Sequence, residues 1–193
     1  MKRLIANALG LTAAFVALSG VAIAQDQTQT MKLMAGDTEL VHTLDTKSAM
    51  PGQLVTVKLT DTIKTPEGVE LPRGTELVGR VDQVKASEGK TPSKLVLTFN
   101  QAHLKDGKTL AVKATLVGFA PAGQVGELPT AVASDASFDQ EPGAMGDVSL
   151  RSAVKQPVSG TLTNNHSNIK LGEGTQFLVA VGVPSSPSSA GAE

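Results

Sequence analysis

The chain has no cysteine, no tryptophan and no tyrosine. Without cysteine no disulfide can staple the fold, so the domain must hold by packing alone or with help from a partner, and no lipid can be attached to a lipoprotein cysteine. Five phenylalanines are the only aromatic residues. That scarcity argues against an outer-membrane barrel, which wears aromatic girdles at both interfaces. It argues equally against sites that stack sugars or single-stranded nucleic acid on aromatic faces.

Charge of one sign is also missing. Lys2 and Arg3 lie in a leader that is expected to be removed, and without them 15 of the 17 basic residues face 18 acidic ones, a formal charge of −3. This is no footprint for nucleic acid or an anionic membrane surface.

The leader itself is present and legible. Lys2 and Arg3 precede an apolar stretch from Leu4 to Val21, and Ala22-Ile23-Ala24 places small residues where a signal peptidase reads. Residues 1–24 are therefore expected to be a cleavable signal peptide with the mature start at Gln25, giving a periplasmic or secreted bacterial protein. A retained anchor is the competing reading, because the apolar run is near the lower end of the roughly 17 to 25 residues that span a bilayer. After cleavage, 169 of the 193 residues remain, enough for one domain. No membrane insertion is expected of them.

Period-two segments separated by turn residues recur through the mature chain, and no amphipathic helix pattern follows residue 24. Val55, Val57 and Leu59 alternate with Thr56 and Lys58, and Leu77, Gly79 and Val81 alternate with Glu76, Arg80 and Asp82. A first strand is expected over Thr38 to Leu44. Leu95, Leu97 and Phe99 lead through Lys105-Asp106-Gly107-Lys108 to Leu110, Val112, Ala114 and Leu116, a hairpin over 94–118 whose Asp106-Gly107 pair tolerates the positive φ of a tight reversal. The fold class is all-β, a small barrel or a two-sheet sandwich of six to nine short strands with a long irregular loop region and disordered termini. The expected organisation is a lead-in at 25–36, one β domain at 37–183 with a long loop or insertion at 119–160, and a low-complexity tail at 184–193.

One pattern occurs twice. Val69-Glu-Leu-Pro-Arg-Gly-Thr-Glu-Leu-Val-Gly-Arg-Val81 aligns without gaps to Ile169-Lys-Leu-Gly-Glu-Gly-Thr-Gln-Phe-Leu-Val-Ala-Val181. Each copy reads as a short strand, a tight turn on Gly74-Thr75 or Gly174-Thr175, and a longer strand. Two unrelated hairpin edges could share such a pattern; the alternative is a duplicated barrel corner. In either case Gly74, Thr75, Asp106, Gly107, Gly174 and Thr175 are structural turn residues.

The run Thr38 to Gly118, with Leu71-Pro-Arg-Gly-Thr-Glu-Leu-Val-Gly-Arg-Val81, Leu95-Val-Leu-Thr-Phe99 and Leu104-Lys-Asp-Gly107, resembles the C-terminal β-barrel of the TrbI-like scaffold proteins of type IV secretion systems. The resemblance covers about half of the mature chain and implies a barrel fold more than a role. The chain departs from that family in having no long proline-rich linker and no helical antenna, although 119–160 lies where an insertion would sit. A shared fold does not fix a function.

Catalytic and metal patterns are sparse. His42, His103 and His166 are scattered, without the spacings of a zinc site. Asp135, Asp139, Glu141 and Asp147 make the 119–160 stretch acidic but lack the order of a calcium loop. No catalytic, cofactor-binding or metal residues are assigned and no cofactor is expected. The leading expectation is a non-catalytic exported binding or assembly module of the cell envelope, with an envelope protein as partner and an exposed β edge or the 119–160 stretch as contact surface. The alternatives are a secreted hydrolase with its site in the long loop and a small-molecule-binding periplasmic protein.

Overall fold

The computed structural model describes residues 33–120, 122, 142–145, 147–153 and 157–184. Among these there are thirteen strands and no helix. In chain order they are β1 (Met34–Leu40), β2 (Leu44–Asp45), β3 (Leu54–Leu59), β4 (Ile63–Lys64), β5 (Glu70–Leu71), β6 (Glu76–Lys85), β7 (Ser93–His103), β8 (Thr109–Ala120), β9 (Pro142–Met145), β10 (Val148–Ser152), β11 (Gly160–Asn164), β12 (Lys170–Leu171) and β13 (Gln176–Gly182).

The choice between barrel and sandwich is settled by a single ladder. The strands run β6-β3-β1-β13-β8-β7, and β6 also pairs with β7, so six strands close on themselves. All six neighbours are antiparallel. Residues of one parity fill the interior: Leu40, Val57, Leu77, Leu97, Phe99, Leu116 and Phe177 are all buried. A barrel of about eight strands is only just filled by side chains, and six strands enclose less. Phe177 meets Phe119 with ring centroids 6.3 Å apart.

The first strand begins earlier than the sequence pattern indicates. Met34 to Gly36 lie on β1 opposite Val179 to Val181 of β13, a pairing between the two ends of the chain that no local pattern could reveal. Beyond Leu40 the expected strand does not continue: Val41 N–H still donates to Thr56 O of β3 at 3.0 Å, and residues 41–43 are irregular before β2.

The β7–β8 reversal also differs from a two-residue turn with two positive φ angles. In this turn Gly107 alone has positive φ, at 84°, and among the described residues only glycines have it. Leu104 accepts from Gly107 N–H at 3.0 Å and donates to Lys108 O at 2.9 Å, a three-residue loop in which glycine takes the left-handed position. The β4–β5 reversal is built alike, with Gly68 N–H donating to Thr65 O at 2.9 Å and Thr65 N–H to Val69 O at 2.8 Å.

The two copies of the Gly-Thr pattern occupy matching corners. Gly74 N–H donates to Leu59 O at 2.8 Å and Gly174 N–H to Leu40 O at 2.8 Å. Leu59 N–H donates to Thr75 O at 2.9 Å and Leu40 N–H to Thr175 O at 2.8 Å. Thr62 Oγ1 accepts from Arg73 N–H at 3.1 Å, and Thr43 Oγ1 from Glu173 N–H at 3.2 Å. The small ladders agree as well: Ile63 faces Leu71 as Leu44 faces Leu171.

These correspondences define an internal pseudo-twofold axis. It exchanges β1–β2 with β3–β4, β12–β13 with β5–β6, and β8 with β7. Even the irregularities match, since β6 shifts register between Val78 and Gly79 against β7, and β13 between Leu178 and Val179 against β8. One pole of the axis passes through the Glu39–Lys58 pair, whose side chains form an ion pair at 3.9 Å. The other falls between Thr98 and Thr115, one residue beyond the Phe99–Ala114 pair that ends the β7–β8 ladder.

At that second pole the symmetry is broken by an addition. Beyond β7 the sheet continues through β11 and β10 to β9. The Val148 to Leu150 cluster of the 119–160 stretch lies on β10, with Val148 and Leu150 joining the same apolar core. Asp135 and Asp139, with the rest of 123–141, lie outside the described residues, as do the leader and the tail beyond residue 184.

Candidate interaction surface

The three histidines are held far apart by the barrel. His42 is exposed on the bend after β1, His103 at the end of β7, and His166 in the turn before β12. Their recorded contacts are with neighbours: His103 Nε2 lies 3.4 Å from Gln101 Oε1, and His166 backbone N–H donates to Asn164 Oδ1 at 2.9 Å. Among the described residues no group of three histidine or acidic side chains converges on one point.

The six turn residues form corners. Gly74 and Gly174 have φ of 85° and 78°, a region open to glycine at little cost. Thr75 and Thr175 are buried beside them. Thr175 Oγ1 donates to Gly172 O at 2.7 Å, whereas Thr75 Oγ1 has no partner among the described residues. Lys108 Nζ lies 2.9 Å from Asp106 Oδ2, and Lys108 N–H donates to Asp106 Oδ1 at 3.1 Å; the side chain first and the backbone second, they hold the pKa of the Asp106 carboxyl below its ordinary value. These residues set the path of the chain.

Surface features with binding character lie elsewhere. Leu54 is 74% exposed and Met50 68%, on either side of the turn that starts β3. The turn is pinned to the barrel by Gly52 N–H donating to Val81 O at 2.7 Å and by Gln53 O accepting from Val81 N–H at 2.9 Å, so the two apolar side chains are carried on a fixed support. Leu54 sits opposite Arg80, whose Nε is 2.8 Å from Asp82 Oδ1. Asp82 in turn accepts from Thr98 Oγ1. The sequence carried a signal for Leu54 that alternation alone does not weigh: it shares parity with Thr56 and Lys58, the outward face.

A second feature is an edge. A closed barrel has no free strand edge, yet β9 pairs only with β10 among the described residues, so the added strands end on an unpaired ladder.

Among the described residues Asp37 on β1 is the carboxylate whose surroundings favour its protonated form. Burial, and then the charge of nearby Asp61, raise its pKa above the ordinary value. Its Oδ1 is buried without a hydrogen-bond partner among the described residues.

No protein-family model and no curated protein matches the chain. Among solved structures, ComB10 of the Com type IV secretion system of Helicobacter pylori is similar over 78% of this chain and 85% of that chain, at 10% sequence identity and a TM-score of 0.39.

Proposed function

We propose that the chain is a non-catalytic, exported binding and assembly module of the cell envelope. The observation that carries this reading is the β9 edge. Closing six strands removes every edge from the barrel, and among the described residues β9 pairs only with β10, an edge whose backbone donors and acceptors suit an extended partner segment. The exposed pair Met50 and Leu54 offers a second, apolar contact on a rigid corner. The Gly-Thr corners and Asp-Gly reversal shared with TrbI-like barrels favour the same role, and kinship with those scaffolds is part of the proposal.

Export belongs to it too: cleavage after Ala24, a mature chain from Gln25, and residence in the periplasm or outside the cell. Site-specific photo-crosslinking tests both halves. A photoreactive residue at Gly143 in the native host should yield a discrete adduct with an envelope protein, and one at Lys64 on the far β4–β5 reversal should not. The mature mass, read from the same fractions, should correspond to a start at Gln25. A chain that stays unprocessed, or that gives no adduct from Gly143 in intact envelopes, overturns the reading.

A further inference from the structure

Two rows of side chains cross the outer face of β6, β7, β11 and β10 in register. In the first, Lys85 lies opposite Lys94, Lys94 opposite Thr163, and Thr163 opposite Ser149. The second runs from Gln83 through Val96 and Thr161 to Arg151. Leu95, Leu162 and Leu150, which alternate with them along β7, β11 and β10, are buried in the core, so parity turns both rows outward. Lys85, Ser149 and Arg151 are exposed, and Lys94 is half-buried.

No position in either row is a carboxylate. Lys85, Lys94 and Arg151 form no ion pair among the described residues, and Lys94 Nζ donates to the neutral Gln83 Oε1 at 3.2 Å. Asp82, at the β6 register shift beside them, is already engaged by Arg80 Nε at 2.8 Å and by Thr98 Oγ1. Like charges directly opposite on a ladder repel and weaken it, so Lys85 against Lys94 is an arrangement that folding alone disfavours. Nor does it follow from a general excess of base, since the whole chain carries a formal charge of −1.

We propose that this face binds an acidic, extended polypeptide segment laid across the four strands. The proposal rests on the binding-module reading for the partner being a protein, but its site is separate from the β9 edge. Lys85 and Lys94 stand with Cβ atoms about 5 Å apart. Arg151 lies two strand spacings and one side-chain repeat from Lys94, roughly 12 Å. An extended chain presents alternate side chains about 7 Å apart, so carboxylates at every second position match the spread of the three cations. Arg151 can take a carboxylate in two parallel hydrogen bonds, and the hydroxyls of Thr161, Thr163 and Ser149 between the cations add neutral donors.

Fluorescence anisotropy on the full chain tests this with a labelled peptide of alternating Glu and Thr, about ten residues long, and its Lys and Thr counterpart. The acidic peptide should bind and the basic one should not, and added salt should weaken the binding. K94E and R151E should each weaken it about tenfold or more, whereas K64E on the far β4–β5 reversal should leave it unchanged. K85E should weaken binding while raising the melting temperature, because it sets opposite charges face to face, so its lost binding is not lost folding. The inference is overturned if the acidic peptide does not bind, if both peptides bind equally, or if K94E and R151E bind it like wild type. Retention of a sulfated polysaccharide or of phosphatidylglycerol vesicles in place of the peptide overturns it too. Absence of the Gly143 adduct counts against the β9 edge alone, since the peptide measurement does not use that edge.

Discussion

Gly74 and Gly174, one hundred positions apart, hold the same corner of the barrel: each donates its N–H at 2.8 Å to a leucine carbonyl, Leu59 in one case and Leu40 in the other. Their differences lie in what stands nearby. A Cβ on Gly74 would meet Lys105 Cε at 2.5 Å, and one on Gly174 would meet Ala122 Cβ at 3.4 Å, an ordinary contact.

Because the lysine is a flexible chain that can swing away, the cost of G74A and G174A should come from the left-handed backbone alone. Each should lose about 1 to 2 kcal/mol. Urea unfolding of both variants checks this, and a G74A loss much above that of G174A should vanish in a K105A background.

Gly79 needs glycine for a different reason. Its φ is not in the left-handed region, but an added Cβ would lie 2.1 Å from the Thr98 carbonyl oxygen and 2.8 Å from the carbonyl carbon, at the register shift between β6 and β7. Backbone cannot swing aside, so G79A should cost more than G74A, about 3 kcal/mol. A loss below that of G74A in the same urea series would contradict the packing argument.

Asp37 gives the fold a pH dependence whose sign follows from its raised pKa. The folded state holds this proton more tightly than the unfolded chain does. Its contribution to stability is complete below the ordinary value of 3.8 and is lost as pH rises through the higher folded value. D37N should therefore raise the neutral-pH unfolding midpoint and flatten its fall on leaving acid. Thermal melts of both proteins across that range decide it, and a D37N profile parallel to wild type counts against the assignment.

Core and surface apolar residues should separate cleanly. F177A removes a fully buried ring packed on Phe119 and should cost about 3 to 5 kcal/mol. The L54S and M50S changes touch exposed positions and should alter stability by no more than about 0.5 kcal/mol. If the corner they share is a contact surface, L54S/M50S should lose envelope cross-links while melting like wild type.

The alternation at Val55 to Leu59 and Leu77 to Val81 was readable because antiparallel strands with one wet face must alternate. The Gly-Thr corners were readable because few residues other than glycine adopt such a turn. Met34 to Gly36 were not, since their strand exists only through pairing with β13. Leu54 was readable as a member of the outward face by its parity with Thr56 and Lys58, whereas Asp37 sits on an outward face that looks ordinary in sequence. Exposure of the first and partial burial of the second depend on what the chain elsewhere does or does not place over them.

The sequence by itself determined that the described domain is built of β-strands, where its glycine corners fall, and that two of those corners share one pattern. Those properties are local, set by side-chain parity and by the φ that a turn demands. Closure of six strands through the β6–β7 ladder, the exchange of equivalent strands about Glu39–Lys58, and the bridging of Leu97 O and Leu116 N–H by the backbone of Ser159 were decided only in the tertiary structure. Each joins backbone groups distant along the chain, and a backbone hydrogen bond carries no side-chain mark by which a sequence could announce its partner.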